Sequence, residues 1–228
     1  MKVDFSKVVE LSHDMLPGKE PFKLEVDLFD VDDLGERGEE HSEGVWYVAA
    51  DIEMSTHCGT HIEFPLHHWE GGDDAKDYPL ENMIGQACVL DFTGKKAHEG
   101  ITIDELKAKA EEIKEGDIVF IRTDFDKKWR TKDWEPFPYI ECDALEWLLD
   151  TKKPKAIGSD ATSIENLKVK DQPNHTACFS RGVAIIESLT NLSKIENNRA
   201  LVFILPMKIK GIDSCPVRIV AINNGGII

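Results

Sequence analysis

Apolar residues in this chain come mostly in short runs set between turn residues, and only a few stretches carry helical spacing. Val8-Val9-Glu10-Leu11-Ser12-His13 reads as a short strand running into a turn, and the prolines and glycine of Leu16–Pro21 mark a loop. Val45 to Met54 holds β-branched and aromatic residues and predicts a strand. Gly71-Gly72-Asp73-Asp74 marks another loop, and Gln86 to Phe92 predicts a buried strand. Thr102-Ile103-Asp104-Glu105 has the form of a capping box, so an amphipathic helix should run through about Ile113 and close at Gly116. Asp117 to Arg122 predicts the next strand. Phe125 to Tyr139 scatters aromatic residues among charges and prolines without a period, which predicts a long loop. A short helix is expected over Asp143–Leu149, with an acid three residues after its cap. Lys155 to Asp160 predicts a strand that leaves through a polar turn. Pro173 to Ser180 predicts a helix ended by Gly182, followed by a strand over Val183–Glu187. Strands over Ala200–Leu205 and Pro216–Ile222 complete a strand-rich tail. No internal repeat or low-complexity linker interrupts the pattern, so the expected fold is α/β or α+β in one unit over residues 1–228.

Composition narrows this picture. A chain of 228 residues, 41% hydrophobic and 31% charged, is long enough for one good core and has a globular balance. Its formal net charge of −16 would repel nucleic acid and anionic lipid, leaving a small molecule as the expected partner. The acid-rich stretch from Glu25 to Glu43 lacks the fixed oxygen spacing and central glycine of a calcium loop and reads as a solvated loop or hairpin. Charges stand where a signal peptide would need its apolar run, and no apolar run approaches the roughly 18 residues that span a bilayer. Five scattered cysteines with no CxxC pair argue against a disulfide framework or a cysteine-rich zinc site, and a cytoplasmic location is expected.

The chemistry concentrates in His57-Cys58-Gly59-Thr60-His61-Ile62-Glu63-Phe64-Pro65-Leu66-His67-His68, which holds half of the 8 histidines. On a helix, His57 and His61 would share a face while Glu63 pointed about 160° away from His61. Gly59, Thr60, Ile62 and Pro65 also disfavour a helix. In an extended chain, positions 57, 59, 61 and 63 share one face, with Gly59 leaving room for an ion and Cys58 turned away as a small core residue. Two imidazoles and a carboxylate suit Zn²⁺, Mn²⁺ or Fe²⁺ with positions open to water. Pro65 then turns the chain, so that His67 or His68 can stand beside the ion and move protons. A hydrogen-bonded histidine cluster without an ion is the competing reading. His13, His41 and His98 are isolated and read as ordinary polar residues.

The run from His57 to His67 resembles the HxGTHxDxPxH signature of the metal-dependent cyclase-family hydrolases, which include the bacterial kynurenine formamidases and the isatin hydrolases. Val9-Glu10-Leu11-Ser12-His13 is similar to that family's N-terminal DLSHP segment, and Gly158 to Glu165 to its GxDxxSxD turn. Leu205-Pro206-Met207-Lys208-Ile209 and Cys215-Pro216-Val217-Arg218 look like its C-terminal LPLKI and SPVR pattern. The resemblance implies a swivelling β/β/α fold, usually as a homodimer or larger, homotetramers included. It also implies one ion on His57, His61 and Glu63, a second on Glu63, His175 and Glu187, and His67 as general acid/base. His175 and Glu187 enter through this resemblance alone; by composition they read as a helix-cap residue and a strand carboxylate. Two departures stand out. Glu63 replaces the usual Asp, which lengthens the side chain by about 1.5 Å, and Leu16-Pro17-Gly18 stands where kynurenine formamidases carry Trp-Pro-Gly. The aromatic Phe125–Tyr139 loop could rebuild an aryl-binding wall, pack internally or form a subunit contact.

These readings lead to a metal-dependent hydrolase of a small cyclic or aryl amide, formamide or lactone, using Zn²⁺ or Mn²⁺ as one or two ions. Metal-bound water would attack the carbonyl with His67 moving the protons, and no serine or cysteine nucleophile in a G-x-S-x-G setting is present. The alternatives are a cyclase or lyase that stabilises an enolate on the same ion, and a non-catalytic metal- or ligand-binding protein.

Overall fold

The computed structural model describes residues 2–31, 33, 34, 42 and 44–227. At its centre, four of the apolar runs lie side by side in parallel: β5 (Ile84–Asp91), β7 (Ile118–Arg122), β9 (Ala156–Ser159) and β10 (Ala184–Glu187). All of β9 and β10 is buried on both faces, as are the first four residues of β7. Such strands read as continuous apolar runs without alternation.

Antiparallel strands extend this core on both sides. β11 (Arg199–Ile204), β13 (Ile219–Asn223) and β1 (Val8–Glu10) follow β5 on one side. β4 (His61–Glu63) and β12 (Ser214–Pro216) follow β10 on the other, giving nine strands. The expected single strand over Pro216–Ile222 is therefore two strands at opposite sides of the sheet. A crossing of two residues, Val217 and Arg218, suffices because the sheet curls until its edges meet. Leu11, Ile62, Phe64, Cys215 and Ile219 share one core cluster. Leu11 donates its N–H to the Ile219 carbonyl and accepts from Thr190, which follows β10.

The other face of the sheet is covered by α1 (Ile103–Lys109), α2 (Cys142–Lys152) and α3 (Pro173–Phe179). Leu106, Leu145, Leu148 and Cys178 pack there against Leu90, Val119, Ile121 and Ile185. The capping box forms as expected: Glu105 N–H donates to Thr102 Oγ1 at 3.5 Å, and Thr102 N–H to Glu105 Oε2 at 2.9 Å. The helix ends earlier than expected, tightening at Ala110 into a 3-10 turn. α2 starts at Cys142 behind an uncapped Glu141, so Asp143 lies inside its first turn instead of capping it.

β2 (Leu24–Asp30) and β3 (Val48–Met54) form a separate antiparallel hairpin. The acidic stretch is thus a hairpin in its first part, while Asp32, Glu36, Glu39, Glu40, His41 and Glu43 lie outside the described residues. The segment after β7 is irregular until β8 (Tyr139–Ile140), which pairs with β6 (Gly100–Ile101). Phe125, Trp134 and Phe137 are nevertheless buried together against Ala161. Asp160 anchors the start of that segment by accepting from the Thr123 and Asp124 N–H groups and the Thr123 hydroxyl. No helix among the described residues is long and apolar enough to cross a membrane.

Candidate metal centre

The extended reading of the His57 stretch holds only for its second half. β4 spans His61–Glu63, so His61 and Glu63 face one way and Ile62 enters the core. Residues 56–60 form a turn in which Gly59 adopts φ +68°. A Cβ at Gly59 would lie 2.9 Å from Met15 Cγ, so glycine answers the turn and the approach of Met15 rather than space for an ion. Thr60 ties the turn down, donating its hydroxyl to the Ser188 carbonyl at 2.6 Å and accepting from His13 N–H at 3.0 Å. His57 is thereby folded back over β4, with Nδ1 2.8 Å from Glu63 Oε1 and 3.3 Å from His61 Nε2. Cys58 is fully buried, as expected of a core residue.

The distal residues arrive through sheet register. β10 pairs with β4 so that Glu187 stands opposite His61 and shares its face. α3 brings His175, and its first turn is held by two carboxyl or amide side chains. Asn174 donates to the carbonyls of Ile140 and Ile164, each at 2.8 Å, and Glu165 Oε1 accepts from His175 N–H at 2.8 Å. His175 Nε2 then lies 3.1 Å from Glu63 Oε2 and 3.5 Å from Glu187 Oε1. The five residues His57, His61, Glu63, His175 and Glu187 are thus brought together, with Glu63 between two groups of possible ligand atoms.

Hydrogen bonding on the far side of each ring fixes which nitrogen faces inward. A carbonyl or carboxylate oxygen can only accept. His61 Nδ1–H therefore donates to the Gly59 carbonyl at 2.9 Å, His57 Nε2–H to Asp213 Oδ2 at 2.9 Å, and His175 Nδ1–H to Glu165 Oε1 at 2.9 Å. The remaining nitrogens, His57 Nδ1, His61 Nε2 and His175 Nε2, all point at the carboxylates of Glu63 and Glu187. Neutral rings would set lone pair against lone pair, so the arrangement demands cations. Protons meet the demand in part: burial pushes these histidines down, but the carboxylates outweigh it and raise His57 to about 10 and His175 to about 12. Burial likewise pushes Glu63 up, but His175, His57 and His61 hold it well below its usual value. Divalent ions meet the demand with less charge separation. A tetrahedral ion with ligand bonds near 2.0–2.1 Å sets its ligand atoms about 3.4 Å apart, and the contacts run from 2.8 to 3.6 Å. Glu63 Oε2 and Glu187 Oε1 are also buried without a well-formed hydrogen bond, a need that an ion would meet.

His67 closes the short 3-10 turn Pro65–His67, and its Nδ1–H donates to Asp213 Oδ2 at 2.7 Å. It faces the same cavity as Glu63, His175 and Glu187. His68 turns outward, its Nε2 2.9 Å from Gln172 Oε1. Asp213 precedes β12, and its carbonyl accepts from Phe64 N–H at 2.9 Å. The bonds from His57 and His67 hold its carboxyl far below the usual carboxylate range. Sequence reading missed Asp213, whose one signal is its place just before the Cys215-Pro216-Val217-Arg218 motif, and gave Glu165 no role of its own. The aromatic segment contributes Trp129 and Trp134 to a cavity that also meets Phe22, His57, His61 and Glu187. Trp129 stacks on His13 at 4.4 Å between ring centroids, so His13 is no isolated polar residue but part of that wall's support.

Known proteins resemble this chain in sequence and in fold. The cyclase family model matches residues 9–166. The kynurenine formamidase of Erythrobacter litoralis is 33% identical over 162 residues, 69% of this chain and 69% of that protein. The isatin hydrolase of Roseibium aggregatum is 29% identical over 206 residues, covering 79% and 77%. A predicted metal-dependent hydrolase from Bacillus stearothermophilus has a solved structure that superposes with a TM-score of 0.74 at 26% identity, covering 94% of this chain and 97% of that one. Isatin hydrolase A from Labrenzia aggregata superposes at 0.76 and 22% identity over 95% and 93%, a likeness of fold alone. A strand-rich α/β chain with this sheet, this His-Gly-Thr-His turn and these relatives belongs to the cyclase family.

Proposed function

We propose that this protein hydrolyses a C–N or C–O bond of a small aryl or cyclic amide, formamide or lactone, with one or two divalent ions held by His57, His61, Glu63, His175 and Glu187. The observation that carries the reading is the convergence of three imidazole lone pairs on two buried carboxylates. It is supported by relatives named as kynurenine formamidase and isatin hydrolase, both enzymes that open amide bonds. Zn²⁺ or Mn²⁺ held by this set would supply Lewis acidity and make water more acidic, its pKa falling with Zn²⁺ from about 15.7 to about 7. His67 has committed its Nδ1–H to Asp213, so Nε2 is the nitrogen left to take a proton from water and return it to the leaving group. Phe22, Trp129 and Trp134 give the cavity an aromatic wall, which fits a flat aryl substrate and answers the missing Trp of the N-terminal loop. Five unpaired cysteines suit the reducing cytoplasm.

The test separates ion binding from proton transfer. His67→Ala should retain the metal of the wild type while losing about 10²–10⁴-fold in kcat/KM on aryl formamides, isatin-like lactams or lactones. A wild-type protein that binds metal yet leaves that whole panel intact would overturn the hydrolase reading. A His61→Ala variant with full metal content would overturn the ligand assignment.

A further inference from the structure

We propose that Asp213 is a positioning residue that sets the tautomers of His57 and His67 together, through a single carboxylate oxygen. The inference rests on the proposed roles of those two histidines and extends them to a residue outside the metal-binding set. Asp213 Oδ2 lies 2.9 Å from His57 Nε2 and 2.7 Å from His67 Nδ1. The two rings stand 4.8 Å apart between centroids, so one oxygen reaches both. The other oxygen, Oδ1, accepts from the Thr56 hydroxyl at 3.1 Å, and the backbone of Asp213 is pinned to Phe64. This carboxylate is therefore held through both of its oxygens and through its backbone.

The consequences differ for the two rings. Donation from His57 Nε2 leaves Nδ1 as the nitrogen that meets Glu63 and His61. Donation from His67 Nδ1 leaves its Nε2 as the acceptor. Without Asp213, each ring can rotate or adopt the opposite tautomer. His57 would then present an N–H to the ion site, and His67 would present a donor where a base is needed. One side chain thus couples the readiness of the ion site to the readiness of the base. Oriented carboxylate–histidine pairs of this kind change metal affinity by about 10–100-fold in other sites.

Imidazole ¹H–¹⁵N spectra of the uniformly labelled chain, metal-free and loaded with diamagnetic Zn²⁺, read the tautomers directly. Loaded with Zn²⁺, the wild type should show His67 as the Nδ1–H form and His57 as Nε2–H. In Asp213→Ala no oxygen remains to accept from either ring, so at least one signature should change. Zn²⁺ affinity, measured by chelator competition, should fall about 10–100-fold, and kcat should fall more than KM rises. Thr56→Val frees Oδ1 alone and should move the same readouts in the same direction by less, which serves if Asp213→Ala folds poorly. Unchanged tautomers and unchanged Zn²⁺ affinity in a folded Asp213→Ala protein would overturn the proposal. A wild type that hydrolyses nothing would overturn the hydrolase reading instead, while the spectra and the affinity would still decide the role of Asp213.

Discussion

Glu63 presents Oε1 to His57 and His61 and Oε2 to His175, so its two oxygens face different ligand groups. The longer glutamate side chain does not withdraw from either, so it is placed to serve both groups. Glu63→Gln removes the charge that both groups share. Ion content measured by mass spectrometry should then fall below that of the wild type, and a variant that keeps the wild-type content would contradict a shared role for Glu63. His13 supports a prediction about pH. Burial against Trp129 depresses it to about 4, below its ordinary 6.5. The unfolded chain therefore binds more protons between those values, and the stability contributed by neutral His13 is present above pH 6.5 and lost as pH falls toward 4. In His13→Asn this component is absent, so the melting temperature should fall less between pH 7 and pH 5 than in the wild type. Equal falls in the two proteins would rule it out. Asp213 shows the limit of reading at this scale. A lone aspartate beside Ser214 carries no pattern, whereas four histidines in twelve residues do.

Elements with local signals were legible, and those stabilised by distant partners were not. Thr102 and Glu105 satisfy each other's backbone donors within four residues, so α1 announced its own start. Thr102→Ala should cost about 1 kcal/mol, seen as a melting temperature lower by about 2–4 °C. No change would mean that packing of Leu106, fully buried against the sheet, holds the helix start without the cap. β4 is only three residues long, and its neighbours β10 and β12 come from more than a hundred residues away. No local propensity specifies such a strand. α3 is similar: its seven residues are too few for an independent helix, and Asn174 and Glu165 hold its first turn in place.

At the scale of the whole molecule, the β2–β3 hairpin stands apart from the nine-stranded sheet. One of its faces sets Glu25 opposite Glu53 and Asp27 opposite Asp51, while the other carries Val26, Leu28 and Ile52. Leu28 and Ile52 are 62% and 63% exposed, and a lone two-stranded hairpin is marginal in water. We propose that the homo-oligomer expected from the family resemblance buries this apolar face against a second copy, since two such faces can meet with their acids turned outward. Light scattering should give a multiple of the chain mass for the wild type and a smaller species for Leu28→Lys combined with Ile52→Lys. A monomeric wild type, or a double variant of unchanged mass, would remove the hairpin from the interface. Phe22, which lines the cavity, directly precedes this hairpin, so assembly and the aromatic wall would be linked.

By itself the sequence determined what is local or dense: the central strands as apolar runs, the capping box, and a histidine-rich stretch with a carboxylate at strand spacing from His61. It also held His175 and Glu187, but only as part of a long-range pattern. Tertiary structure decided the rest. Curling of the sheet split the C-terminal run into β12 and β13 and carried Asp213 over His57 and His67. The antiparallel register of β10 on β4 set Glu187 beside His61, and the seating of α3 aimed His175 at Glu63. Strand register and sheet curvature depend on contacts between residues far apart in the chain, and that is why half of this site could be read along the sequence and half could not.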